Sequence, residues 1–217
     1  LRHQLSEENR KADAKKKEFD LLKSLIDSME GYPESIRFLH NNKEWNAQAP
    51  ILSDIIYVQE AYRTAIENLL EPFLNYYVVA TWQEAFHAIE LLNTSKKGKA
   101  NFFILEEIHK TFQSIPLVAL PNETISALDV IEVDEPYKNL AAYLLQKVII
   151  SEGNILPETN AFVILNKNGS FVRGQYTLSG GSIGLFEGKR IGRAKNLEKL
   201  QDELIVQQAV VQALKTE

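Results

Sequence analysis

The sequence predicts an α+β fold, a mixed core carried between two coiled-coil-like helices. Three observations predict it. Both ends show apolar stripes at heptad spacing. The middle repeats a strand–helix pattern at a constant offset of 75 residues. The stretch after the second copy holds β-branched runs around an Asn-Gly turn.

In the first helix, Leu5, Ala12, Phe19 and Ile26 lie seven apart, with Leu22 and Met29 interleaved; Glu8 and Lys15 interrupt the stripe. Lys11, Lys16, Lys17, Glu18 and Lys23 form a charged outer face, and Gly31 and Pro33 end the helix. The first repeat opens at Asp54, with a strand over Ile55–Val58 and a helix carrying Tyr62, Ala65, Ile66 and Leu69 on one face. Tyr77-Val78-Val79 is the next strand, followed by a helix over Trp82–Leu92, a basic turn at Lys96–Lys99 and a strand over Asn101–Leu105. Pro116 and Pro121 mark the link to the second copy. There Asp129, Ile131, Val133, Glu135 and Tyr137 restate Asp54, Ile56, Val58, Glu60 and Tyr62, and Leu144-Leu145 restates Leu69-Leu70. Val130–Val133 and Val148-Ile149-Ile150 are its strands. The copies then diverge. Ala161–Leu165 reads as a buried strand, Asn168-Gly169 as a hairpin turn, and Ser170–Arg173 and Gln175–Leu178 as returning strands. In the last segment Leu197, Leu200, Leu204, Gln207, Val211 and Leu214 follow a heptad alternation. Two placements suit the terminal helices: each packs on the core, or they pair with each other antiparallel.

Composition excludes several classes. The chain has 217 residues, 45% hydrophobic and 24% charged, with a formal net charge of −5, ordinary for a globular protein and too acidic for an evenly basic nucleic-acid coat. With no cysteine, disulfides, Cys-ligated zinc, iron–sulfur clusters and thiol nucleophiles are excluded. No apolar run approaches the roughly 20 residues of a membrane span. The start, Leu1-Arg2-His3-Gln4, has neither an initiator Met nor a signal-peptide layout, so the chain reads as a piece of a longer protein from a reducing compartment.

Enzyme motifs fail on their own requirements. Gly180-Gly181-Ser182-Ile183-Gly184 matches the G-x-S-x-G nucleophile elbow, but the last histidine is His109, so the order of acid and base that the elbow demands is missing. Gly188-Lys189 lacks the glycine and the Ser or Thr of a phosphate-binding loop, since Ile183 and Arg190 stand there. His3, His40, His87 and His109 have no metal-ligand spacing. Trp45 and Trp82 read as packing residues. Asn93, Asn122 and Asn168 match the glycosylation pattern without a secretory signal.

Several strings resemble a known family in order and spacing. They are Gly31-Tyr32-Pro33-Glu34-Ser35-Ile36-Arg37-Phe38-Leu39, then Asp54–Val58 through Tyr62, Ala65 and Leu70, then Ser179-Gly180-Gly181-Ser182, then the basic return over Leu185–Leu200. Together they resemble the hinge of SMC proteins, the long ATPases of chromosome organisation, and most of all the bacterial members. The resemblance implies a core of two quasi-repeated strand–helix–strand halves with an antiparallel coiled-coil stub. It gives residues 1–30 as N-terminal coiled-coil helix, 31–115 as hinge subdomain I, 116–183 as subdomain II, and 184–217 as basic junction and C-terminal helix. It also implies a non-enzymatic dimerisation module, a homodimer in the bacterial case, joining two coiled-coil arms. ATP and Mg are then expected only in head domains outside this segment, with no cofactor here, and the setting is cytoplasmic and nucleoid-associated. The expected dimer interface is Gly174, Ser179, Gly180, Gly181 and Ser182. An open sheet edge can pair with a second chain, and glycines let two backbones approach; a plain turn is the alternative for Gly180-Gly181.

Charge is uneven. Residues 120–160 hold seven acids against two bases, a local −5 equal to the whole net charge. Residues 183–199 and 10–23 are each +3. Double- or single-stranded DNA is expected to bind without sequence preference at Lys189, Arg190, Arg193 and Lys195. A solvated helix face is the plainer account of Lys15-Lys16-Lys17. No membrane and no small-molecule substrate is expected. Two other classes share parts of the pattern: a small α+β ligand-binding or regulatory domain with amphipathic end helices, and an unrelated coiled-coil protein with a globular insert.

Overall fold

The computed structural model describes residues 2–29, 31–45, 49–116, 119–153, 161–182 and 190–216. The chain divides into two compact units: Leu1–Gly31 with Arg193–Glu217, and Tyr32–Gly192.

The first unit is a helical hairpin. Helix α1 spans Arg2–Asp27 and helix α8, the last in the chain, spans Arg193–Thr216. They pair with each other and run antiparallel, Glu8 lying beside Gln207 and Lys15 beside Glu203. The heptad residues are the shielded ones. Leu5, Ala12, Phe19, Leu22 and Ile26 on α1 and Leu200, Leu204, Gln207 and Leu214 on α8 are half-buried, and Val211 is buried. Glu8 and Lys15, which break the stripe, sit on the same seam. Glu8 accepts from the Gln207 amide and from Lys11 at 2.7 Å, and Lys15 pairs with Glu203. A polar residue in a seam fixes register, because any slip strands it without its partner.

The second unit is α+β and carries the duplication openly. Helix α3 (Leu52–Ile55), strand β1 (Ile56–Val58), a 3₁₀ turn at Glu60–Tyr62 and helix α4 (Arg63–Leu70) make the first copy. A 3₁₀ turn at Ala127–Val130, strand β5 (Ile131–Val133), a 3₁₀ turn at Glu135–Tyr137 and helix α7 (Lys138–Leu145) make the second. Every boundary is displaced by 75 residues. β1 and β5 pair antiparallel with Tyr57 opposite Glu132, its own repeat equivalent. An element meeting its duplicate at equivalent positions defines a local two-fold axis there.

Each copy then adds a parallel strand pair. β2 (Tyr77–Val79) crosses through helix α5 (Trp82–Ser95) to β3 (Phe102–Ile104). Thr81 caps α5 by accepting from the Glu84 N–H, and the Glu84 carboxylate accepts from the Ala80 N–H at 3.0 Å, a reciprocal N-terminal cap. In the second copy β6 (Val148–Ser151) pairs parallel with β7 (Val163–Asn166) and extends into a five-stranded sheet. Its order is β4 (Thr124–Ser126), β6, β7, β8 (Phe171–Arg173), β9 (Leu178–Gly180). Short helices α2 (Glu34–Asn41) and α6 (Leu105–Thr111) complete the unit. A single apolar cluster joins both copies: Ile56, Ile66, Leu70 and Val78 from the first pack with Val130, Leu140, Leu145 and Ile150 from the second.

Some sequence readings shift. Ile55 closes α3 and the strand starts at Ile56. Leu70 is buried on α4 while Leu69 is half-buried, and Tyr62 lies in the preceding turn. The strand expected over Gln175–Leu178 begins only at Leu178. Gly174 N–H donates to Thr177 O at 2.9 Å, making Gln175-Tyr176 a two-residue hairpin loop. Trp45 packs as expected, buried edge-on to Tyr77 at 4.8 Å, its indole N–H donating to Glu84 O. Trp82 does not. It is 48% exposed and stands beside exposed Phe86 on the outer face of α5.

Candidate functional site

The free edge of β9 is the most distinctive surface of the second unit. β9 pairs with β8 through Phe171↔Gly180, Val172↔Ser179 and Arg173↔Leu178, and nothing among the described residues pairs with its other side. Gly174 N–H donates to Thr177 O and Gly181 N–H to Ser170 O, so the hydrogen-bonded pairs are 174/177, 172/179 and 170/181. Antiparallel ladders alternate. The N–H and C=O groups of Leu178 and Gly180 therefore point outward, four backbone groups in a row. All three β9 residues are exposed, Leu178 at 72%, and so is Tyr176 (90%) in the hairpin loop before the strand. Exposed apolar side chains on an unpaired edge are what soluble proteins normally avoid.

The glycines there differ in role. A Cβ on Gly174 would meet Thr177 Oγ1 at 2.5 Å, and one on Gly180 would meet Ser170 O at 2.4 Å and Phe171 Cα at 3.1 Å. Contacts inside the chain already account for both. Gly181 (φ +154°) has open space where its Cβ would stand. Ser179 is exposed on β9, and Ser182 follows Gly181 at the rim of a small cleft of about 200 Å³ whose far wall is Asn68 and Glu71. The structure thus brings Ser179, Gly180, Gly181 and Ser182 onto one edge, with Gly174 at the hairpin end.

The basic residues divide between the two units. Lys189 lies outside the described residues. Arg190 belongs to the second unit, where its guanidinium stands 3.6 Å from Glu71 and 3.5 Å from Asn75. Arg193 and Lys195 open α8 in the first unit, Lys195 lying 3.5 Å from Glu198. On the facing helix Lys16, Lys17 and Lys23 are exposed. At the register set by Lys15 and Glu203, Lys23 comes level with the start of α8. Within the hairpin Lys23 thus lies at the end where Arg193 and Lys195 open α8, while Lys15 itself is engaged by Glu203.

Among the described residues no cluster of His, Asp or Glu could hold a metal, and no helix is long and apolar enough to cross a membrane. A cavity of about 530 Å³ is lined, among the described residues, by Ile115, Pro116, Ala161, Phe162 and Val163, with Lys147 and Gln175 as polar side chains. Sequence reasoning missed Glu67, a carboxylate only 4% exposed on α4. Its one signal is a mismatch between the copies, since Ala142 stands at the equivalent position.

Comparison with known proteins agrees with this architecture. Residues 46–153 match the family described as SMC proteins Flexible Hinge Domain. The Chromosome partition protein Smc of Chlorobaculum tepidum is 28% identical over 195 residues, covering 85% of this chain and 16% of that protein. The protein of the same name from Desulfitobacterium hafniense is 26% identical over 213 residues, 92% of this chain and 18% of that one. The chain thus spans about a sixth of the length of these relatives. Among solved structures, an asymmetric dimer of the Geobacillus stearothermophilus SMC hinge domain superposes with a TM-score of 0.78 at 19% identity, covering 99% of this chain and 91% of that one. The Pyrococcus furiosus Smc hinge domain with an extended coiled coil gives 0.57 at 19% identity, covering 99% and 79%.

Proposed function

The chain carries the hinge domain of the SMC family, and from that premise we propose that it joins two copies of a longer chromosome partition protein through the free edge of β9. The observation that carries the reading is this edge, with its four outward backbone groups and exposed Tyr176 and Leu178. β-Augmentation satisfies such groups with main-chain hydrogen bonds and covers the apolar side chains in one step. The paired helices α1 and α8 are the stub of the arm that each copy contributes. This segment is assigned no catalysis; nucleotide chemistry belongs to other parts of the longer protein.

The reading extends to DNA. Lys189, Arg190, Arg193 and Lys195, with Lys23 on the helix facing α8, supply cationic side chains for phosphate contacts. Binding there is sequence-independent and places the protein on the nucleoid.

Two measurements test the proposal. Light scattering on a sizing column should give twice the chain mass of 24.7 kDa, holding on dilution; a 24.7 kDa species at every concentration overturns the homodimer. Fluorescence anisotropy with duplexes of two unrelated sequences should give equal affinities. About four phosphate contacts predict a slope of roughly −3.6 in log affinity against log salt. Unchanged binding after reversing Lys189, Arg190, Arg193 and Lys195 to Glu overturns the assignment of DNA contact to this segment.

A further inference from the structure

We propose that Glu67 is a latch that holds the exit peptide Arg190–Gly192 on the core, and that its release frees this peptide while the core stays folded. One carboxylate oxygen of Glu67, Oε2, accepts from Arg190 N–H at 2.9 Å and from Ile191 N–H at 3.0 Å. Two consecutive backbone N–H groups thus converge on one anion, and the next residue, Gly192, takes a positive φ (+74°) that turns the chain after them. Hydrogen bonds to a buried carboxylate are the strong kind.

The surrounding contacts act on the same three residues. Gly192 N–H donates to Ser53 O at 2.7 Å, and a Cβ on Gly192 would stand 3.2 Å from Ile56 O. Ile191 is 1% exposed and joins the apolar core. The Arg190 guanidinium lies against Glu71 and Asn75. Helix α8 starts at the residue after Gly192. The latch thus holds the three residues that immediately precede α8 in the chain.

The duplication separates this role from packing. Elements of the two copies coincide at an offset of 75, yet Glu67 is matched by Ala142. α7 has no exit peptide to hold, and at this position it carries no carboxylate. Had the site only required a helix-packing residue, the alanine would have served in both copies. The inference stands whether or not the core dimerises.

Amide hydrogen exchange on the intact 217-residue chain tests it. In the unaltered protein, the amides of Arg190, Ile191 and Gly192 should share one opening event in a denaturant series. That event should expose little surface and occur more readily than the opening of Ile149 and Ile150 in β6. Glu67→Ala should speed exchange at the three exit amides at least tenfold with β6 protection unchanged. Glu67→Gln keeps an oxygen in place of Oε2 and should restore most of the protection. Exchange of the exit amides only through global unfolding in the unaltered protein overturns the latch. So does a Glu67→Ala variant that loosens β6 as much as the exit peptide, or one that leaves the exit amides unchanged. The first measurement needs no variant to fold, and it is independent of the mass that tests dimerisation.

Discussion

Leu178→Pro tests the β9 edge directly. Leu178 lies in a non-hydrogen-bonded pair with Arg173, so its N–H takes no part in the β8–β9 ladder and points to the open side. Proline removes that donor and leaves the bonds of Val172 and Ser179 to each other in place. If a partner strand accepts from Leu178 N–H, the substitution leaves a carbonyl without its donor in a dry interface. Such a loss costs about 1–2 kcal/mol per site. A two-fold dimer contains two such sites, so association weakens by about 2–4 kcal/mol, roughly 30- to 1,000-fold in Kd. Leu178→Ala is the control, since it removes the 72%-exposed side chain and keeps the N–H. Sedimentation velocity across a dilution series measures both. The expected result is a dimer that dissociates at far lower dilution in Leu178→Pro than in Leu178→Ala. If the proline variant remains as dimeric as the unaltered chain, β9 does not pair through this edge.

Four further outcomes follow from named contacts. Lys15→Leu completes the apolar stripe of α1 and exchanges a half-exposed ion pair with Glu203 for burial, so the helical hairpin should gain about 1 kcal/mol, read as a higher melting temperature by circular dichroism. Gly180→Ala should cost about 1–3 kcal/mol in urea unfolding, because its Cβ would meet backbone at 2.4 Å, whereas Gly181→Ala meets open space and pays only for its φ of +154°. Tyr77→Phe deletes the hydroxyl that donates to Ile36 O at 2.8 Å, a phenol whose pKa burial pushes well above its usual value; about 1–3 kcal/mol of stability should be lost. The Glu152 carboxyl is held below the ordinary 4.5 by its hydrogen bond from Lys167, with Tyr62 adding to it. Its contribution is therefore complete above pH 4.5 and fades as pH falls through the lowered folded-state value; a Glu152 titration midpoint at or above 4.5 by NMR contradicts this.

What the sequence disclosed follows from how local each signal is. Heptad stripes survive because every seventh residue reports the same seam, and even the breaks at Glu8 and Lys15 proved to be seam contacts. The 75-residue offset was readable because Asp, Ile, Val, Glu and Tyr recur where β1 and β5 meet on the local two-fold axis. The Asn168-Gly169 turn was readable because Gly169 has a φ of +80° and packs closely on Thr64. Signals failed where tertiary context decides. The strand expected at Gln175–Leu178 has the right residue types, but the 174/177 bond turns its first half into a loop. Helices α2 and α6, at eight and seven residues, are too short for periodicity to separate them from loops. Trp82 shows that an aromatic at helix spacing can face outward.

The two copies also show where their tasks part. Equivalent positions just beyond α4 and just beyond α7 hold different connecting segments. Glu71 lies against the Arg190 side chain of the exit peptide, while its counterpart Gln146 accepts from Ile115 N–H at 3.0 Å and so secures the link between the copies. Glu67 grips the exit backbone where Ala142 grips nothing of the kind. The residues that agree between the copies build the shared core, since both halves must bury the same faces around one axis. The polar residues that disagree lie where a single-copy strand or connection passes over a duplicated scaffold. A divergence of this sort is visible in the sequence, but its meaning requires knowing what passes over each helix. That is why a glutamate between Ile66 and Leu70 carried no meaning in the sequence alone, and in the folded chain it is the acceptor for the backbone N–H groups of Arg190 and Ile191.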